Sequence, residues 1–185
     1  MMWTIPGTVL QAERSEAEHI PQQMEALFFG GGITLSQVTA ITGLEAYTVQ
    51  NWVKRGFLTS PKGKRYTLRQ FCRILNINML KSVLPMERIC SLLTYINGQL
   101  DNESDDLIDD SVLYFMLVRL ASQCRQINSV AQRDQLISEI MQSYQEPIPG
   151  ANARVEKVLR VMFTAWAAAQ LRLEAENLLQ DLDTN

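Results

Sequence analysis

Apolar positions recur at helical spacing along most of this chain, and Gly and Pro divide them into segments. The apolar patch Met24 to Phe29 predicts a short amphipathic helix, and Gly30-Gly31-Gly32 behind it a flexible hinge. Thr34 and Gln37 have the spacing of a capping box. Leu35, Val38 and Ile41 then mark one helix, stopped by Gly43. Val49, Trp52 and Val53 form the stripe of a second, from about Glu45 to Arg55, closed by Gly56. Phe57 and Leu58 return to the core. Residues 59–67, with Pro61, Gly63 and an extended run at Tyr66, predict a small hairpin or wing. A third helix from about Leu68 to Lys81 turns Phe71, Ile74, Leu75, Ile77 and Leu80 inward. Leu84-Pro85 breaks it, and a fourth begins at that proline and ends at Asn97-Gly98.

Residues 101–110 hold six acids and predict a solvated linker. Three further helices follow, at about 110–126, 129–144 and 151–181, the last two separated by Pro147 to Gly150. The expected class is mainly α. The domains expected are an N-terminal segment and hinge (1–32), a winged helix-turn-helix (33–98), an acidic linker (99–110) and an all-α C-terminal region (111–185). In the last helix Val155, Val158, Leu159, Met162, Phe163 and Trp166 make a broad apolar face. One small bundle can bury only part of it, which predicts a homodimer through these helices. A compact monomer, with these helices folded back over Leu35, Val38 and the patch Met24 to Phe29, is the competing arrangement.

Charge sharpens the picture. Nine Lys or Arg lie between Glu45 and Ile89, against the acids Glu45 and Glu87, so this segment is strongly basic inside a chain of net charge −3. Such sorting suits a polyanion at that segment. Three cysteines at wide spacing (Cys72, Cys90, Cys124) suit buried thiols in a reducing cytosol, with a thiol sensor as the alternative. No membrane span or signal peptide is visible, so the expected location is the cytoplasm. His19 is the only histidine, which excludes a His-based metal cluster within the chain. No nucleophile, general base or oxyanion arrangement emerges, so neither an enzyme nor a cofactor is expected.

The turn at Thr42-Gly43-Leu44 fits a helix-turn-helix whose second helix enters the major groove of duplex DNA. Its outward positions are Tyr47, Gln50, Asn51 and Lys54. Gln and Asn pair bidentately with adenine, and Lys reaches guanine or phosphate. Lys62, Lys64, Arg65 and Arg69 suit phosphates, and Tyr66 suits a sugar contact. The blander alternatives are a polar outward face and a solvated basic turn. Trp52 and Phe57 sit on apolar stripes and are assigned to the core. The alternative function is a protein-interaction adaptor whose basic face docks an acidic partner.

The string Gly43 to Leu58, G-L-E-A-Y-T-V-Q-N-W-V-K-R-G-F-L, resembles the recognition segment of MerR-type regulators. Its opening Gly, Thr48, Val49, Trp52 and the base before Gly56 carry the likeness, and Lys64-Arg65-Tyr66 resembles that family's wing. Arg is usual in that family where Gln50 stands and Tyr where Asn51 stands, and the wing here is shorter. The chain is more similar to a bacterial family of uncharacterised proteins known only as a domain of unknown function. Thr42-Gly43-Leu44, Gln50 to Gly56, Gly63 to Tyr66, Arg73 to Lys81, Leu92 to Gly98 and Ser104 to Ser111, running into Leu113-Tyr114, carry that resemblance over roughly residues 33–115. It implies a MerR-like DNA-binding fold and a transcriptional role.

Overall fold

A computed structural model describes residues 2–124 and 129–183. Its centre is one helix, α4 (Leu68–Leu80), buried almost all round. Apolar residues on every side of this sequence permit that, and even Arg73 and Asn76 are enclosed. Helix α6 (Asp110–Ser122) lies along α4. The long α8 (Ala151–Asp183) packs against α4, α6, α5 (Met86–Asn97) and α7 (Val130–Met141). The molecule is mainly helical, as expected. The expected end of α6 near residue 126 lies outside the described residues.

Before α4 stand α1 (Ile20–Ala26), α2 (Leu35–Thr42) and α3 (Ala46–Lys54). Two small antiparallel pairs complete the fold: β1 (Met2–Thr4) with β2 (Gln11–Glu13), and β3 (Ile33–Thr34) with β4 (Arg65–Tyr66). Residues 2–13 therefore form a hairpin that periodicity does not reveal, because three-residue strands are too short to show alternation. The hairpin is bound to the helices. Trp3 and Ile5 are buried. Tyr114 Oη donates to Pro6 O at 2.8 Å, Asn78 Nδ2 to Gly7 O at 2.8 Å, and Arg14 Nη1 to the carbonyls of Ala121 and Ser122. A methyl on Gly7 would lie 2.5 Å from Leu75 O. Only glycine fits there.

Three expectations need correction. Gly30 to Gly32 is a hydrogen-bonded turn rather than a flexible hinge. Gly31 and Gly32 donate to Phe28 O, and Gly32 O accepts from Arg65 Nη1 at 2.7 Å. Residues 101–110 are not a wholly solvated linker either. Leu107 and Ile108 enter the core, and Asp110 is 1% exposed. Alternating acids and apolar pairs let the segment act as a strap, with Tyr144 Oη donating to Leu107 O at 2.5 Å. The face of α8 from Val155 to Trp166 is buried within the chain. Its main partners are α4, α5, α6 and α7, rather than the Leu35, Val38 and Met24 to Phe29 surface expected of a fold-back, so burial within one chain takes up the apolar face that motivated the dimer.

Candidate nucleic-acid interface

The exposed face begins with a helix pair. Thr34 and Gln37 close the capping box at the start of α2, and Gly43 ends that helix in the left-handed region at φ 70°. Leu44 is buried and holds the turn down. Helix α3 then buries Val49 and Trp52, which fixes its rotation. Trp52 is a core residue, as its stripe indicates. Tyr47, Gln50, Asn51 and Lys54 all face solvent on the opposite side, and Tyr47 is 65% exposed.

Beside α3 lies a tight basic turn. Lys62 and Arg65 form a bridge, and Arg65 N donates to Lys62 O at 3.0 Å. The two residues between them, Gly63 and Lys64, have φ of 57° and 61°. Positive φ at both central positions matches the right-handed strand twist and allows a two-residue loop. Gln70 anchors the base of the turn. It caps α4 with Thr67, and its amide donates to Thr59 Oγ1 at 2.9 Å and to the carbonyls of Thr59 and Ser60 at 3.1 Å. The Thr67-x-x-Gln70 spacing, a second capping box, is the signal in the sequence for this anchor.

Lys62 and Lys64 are exposed at this turn, and Lys54 is exposed on α3. Among the described residues none of the three forms an ion pair. Between α3 and the turn runs an apolar hollow of about 470 Å³, floored by Leu35, Val53, Pro61 and Tyr66 and rimmed by Gln50, Lys54 and Lys64.

Three of the expected contact residues are placed differently. Tyr66 is 3% exposed, and burial raises its pKa, so it is floor rather than a sugar contact. Arg65 is exposed but holds the Gly32 carbonyl. Arg69 faces carboxylates: Asp106 is hydrogen-bonded to it, with Glu103 at 3.5 Å, Asp110 at 3.8 Å and Asp109 at 3.9 Å. Burial alone would lower the Arg69 pKa, but the Asp106 hydrogen bond and the surrounding acid charges raise it. Arg73 is enclosed next to it, donating to Phe57 O at 3.0 Å and pairing with Asp110 at 3.3 Å. Burial raises the pKa of Asp106 and Asp110, and the neighbouring Arg charges offset this in part. The sequence signal for this cluster is two Arg four apart facing two Asp four apart.

Among the described residues no three His, Cys, Asp or Glu side chains converge as metal ligands, and no helix is long and apolar enough to cross a membrane.

A domain of unknown function, DUF1836, is found over residues 33–117. The DUF1836 segment runs from β3 into α6, so it holds the exposed α3 face, the basic turn and the Arg–Asp cluster. It omits the N-terminal hairpin, α7 and α8. Uncharacterized protein YkrK of Bacillus subtilis (strain 168) is 30% identical over 86 residues, spanning 44% of this chain and 37% of that protein. No solved structure matches the chain.

Proposed function

We propose that this protein is a sequence-specific double-stranded DNA-binding transcriptional regulator, with α2 and α3 as a MerR-like helix-turn-helix and residues 59–67 as its wing. One observation carries the reading. Lys54, Lys62 and Lys64 stand exposed around one polar helix face without ion-pair partners among the described residues, while the half-buried Arg69 and the enclosed Arg73, in the same basic segment, are paired with carboxylates. Tyr47, Gln50 and Asn51 are set to meet base edges in a major groove, and the three lysines to meet phosphates. Arg69 leaves the set of DNA contacts, and Tyr66 supports the wing from below. One short helix covers few base pairs, so two copies on paired half-sites suit this reading.

The test is retention on random duplex DNA across a salt series. Affinity is expected to fall steeply with salt, each neutralised phosphate contributing about 0.9 to the log–log slope. No retention at low salt would overturn the reading. The apolar hollow favours a second one, an adaptor that docks an acidic protein segment on Lys54 and Lys64 with apolar side chains on Val53 and Pro61. An acidic polypeptide that duplex DNA cannot displace from this face would select it.

A further inference from the structure

We propose that the outer half of α8 pairs antiparallel with α8 of a second copy of this chain. The inference does not depend on DNA binding. From residue 170 to 182 every side chain of α8 is exposed, and Leu171, Leu178 and Leu182 are 68%, 60% and 74% exposed. Arg172 Nη1 donates to Ser82 O at 3.4 Å, and about three turns of helix continue beyond that residue.

The exposed apolar residues are ordered. Val161, Thr164, Ala168, Leu171, Ala175 and Leu178 alternate three and four apart, and Leu182 continues the series. All face solvent. This is the seam of a coiled coil, and it lies on a different face from the buried Val155 to Trp166 stripe. Its two ends differ. The outer end carries leucines. The inner end, with Val83, Leu84 and Ala165, lines an apolar hollow of about 380 Å³.

Leucines at one end of a helix and a hollow of smaller residues at the other are self-complementary about a two-fold axis. Antiparallel pairing sets Leu171 opposite Ala168 of the partner subunit, Ala175 opposite Thr164 of the partner subunit and Leu178 opposite Val161 of the partner subunit. Charge favours the same orientation. Residues after Arg172 include Glu174, Glu176 and Asp181 and no Lys or Arg, whereas the inner half carries the exposed Lys157 beside Arg160, which already pairs with Asp134 and Glu156. Antiparallel helices lay the acidic end over Lys157, while parallel helices in register would place acid beside acid.

Sedimentation of the full chain across a wide concentration range is expected to show a dimer. Leu178→Glu should weaken it by about 100-fold, and Leu173→Glu, off the seam, should leave it unchanged. Circular dichroism should show both variants folded, since both sites are exposed. Oxidation should cross-link the Val161→Cys/Leu178→Cys double variant between subunits and leave the Leu178→Cys single variant uncross-linked. A monomer at every concentration would overturn the proposal. So would a Leu178→Glu protein as dimeric as the parent, or single-variant cross-linking as efficient as the double.

Discussion

Two groups of cations within one basic stretch meet opposite fates. Lys54, Lys62 and Lys64 project into solvent from α3 and a tight turn, without ion-pair partners among the described residues. Arg69 and Arg73, a few residues on, are drawn against Asp106 and Asp110. Net charge counts both groups alike. The physical difference is desolvation. An enclosed guanidinium must be matched by hydrogen bonds and an opposite charge, and its planar fork suits that role better than a lysine ammonium. An exposed lysine retains its hydration and its field, which a polyanion can use. Charge in this protein thus has two roles, one holding the strap to α4 and one offered to a partner.

Substitutions should separate those roles. Asp110→Ala leaves Arg73 enclosed without its carboxylate, and a loss of about 3–5 kcal/mol is expected in urea unfolding. A loss below about 1 kcal/mol would show that the Arg–Asp cluster is not structural. On the exposed side, Gln50→Ala and Asn51→Ala should leave unfolding unchanged and lower preference for the best duplex site by about 1–3 kcal/mol, read by competition binding. Equal losses on specific and random DNA would remove α3 from the major groove.

Acid should distinguish the groups more gently. Asp106 and Asp110 titrate above the usual carboxylate range, because burial outweighs their Arg partners. A carboxyl with a raised folded pKa adds stability that is fully present below the unfolded pKa and is lost as pH rises through the folded value. The stability gap between the parent and Asp110→Asn should therefore widen in the parent's favour as pH falls through that window. A gap independent of pH would show that Asp110 does not titrate there. The smallest effect belongs to the turn. Lys64 holds φ 61°, so Lys64→Gly should raise stability by up to about 1 kcal/mol while weakening duplex binding on all sequences alike. Loss of stability instead would show that the lysine side chain braces the turn.

Periodicity located α2 to α8 because each helix writes its own signal in neighbouring residues: the Thr34–Gln37 cap, the Val49–Trp52 stripe, the Gly43 stop. Exposure of Tyr47, Gln50, Asn51 and Lys54 followed from that stripe, since burying one side of a helix exposes the other. Tyr66 was less legible. An aromatic in an extended run reads alike whether it faces a ligand or the core. Its pairing with Ile33, a residue far away in sequence, decided the matter.

The sequence by itself determined the helical class, the places of α2 to α8 and the sorting of charge, because these arise from interactions within one or two turns, whereas α1 lies at Ile20–Ala26 rather than at the apolar patch Met24 to Phe29. Tertiary structure decided which cations are free, that residues 2–13 form a hairpin under α4 and α6, and which face of α8 is covered. Those outcomes depend on pairs such as Arg69 with Asp106 and Tyr114 with Pro6, far apart in the chain. Such pairs exist only once the chain has folded, since their desolvation and loop-closure costs are met by the fold as a whole and leave no local pattern.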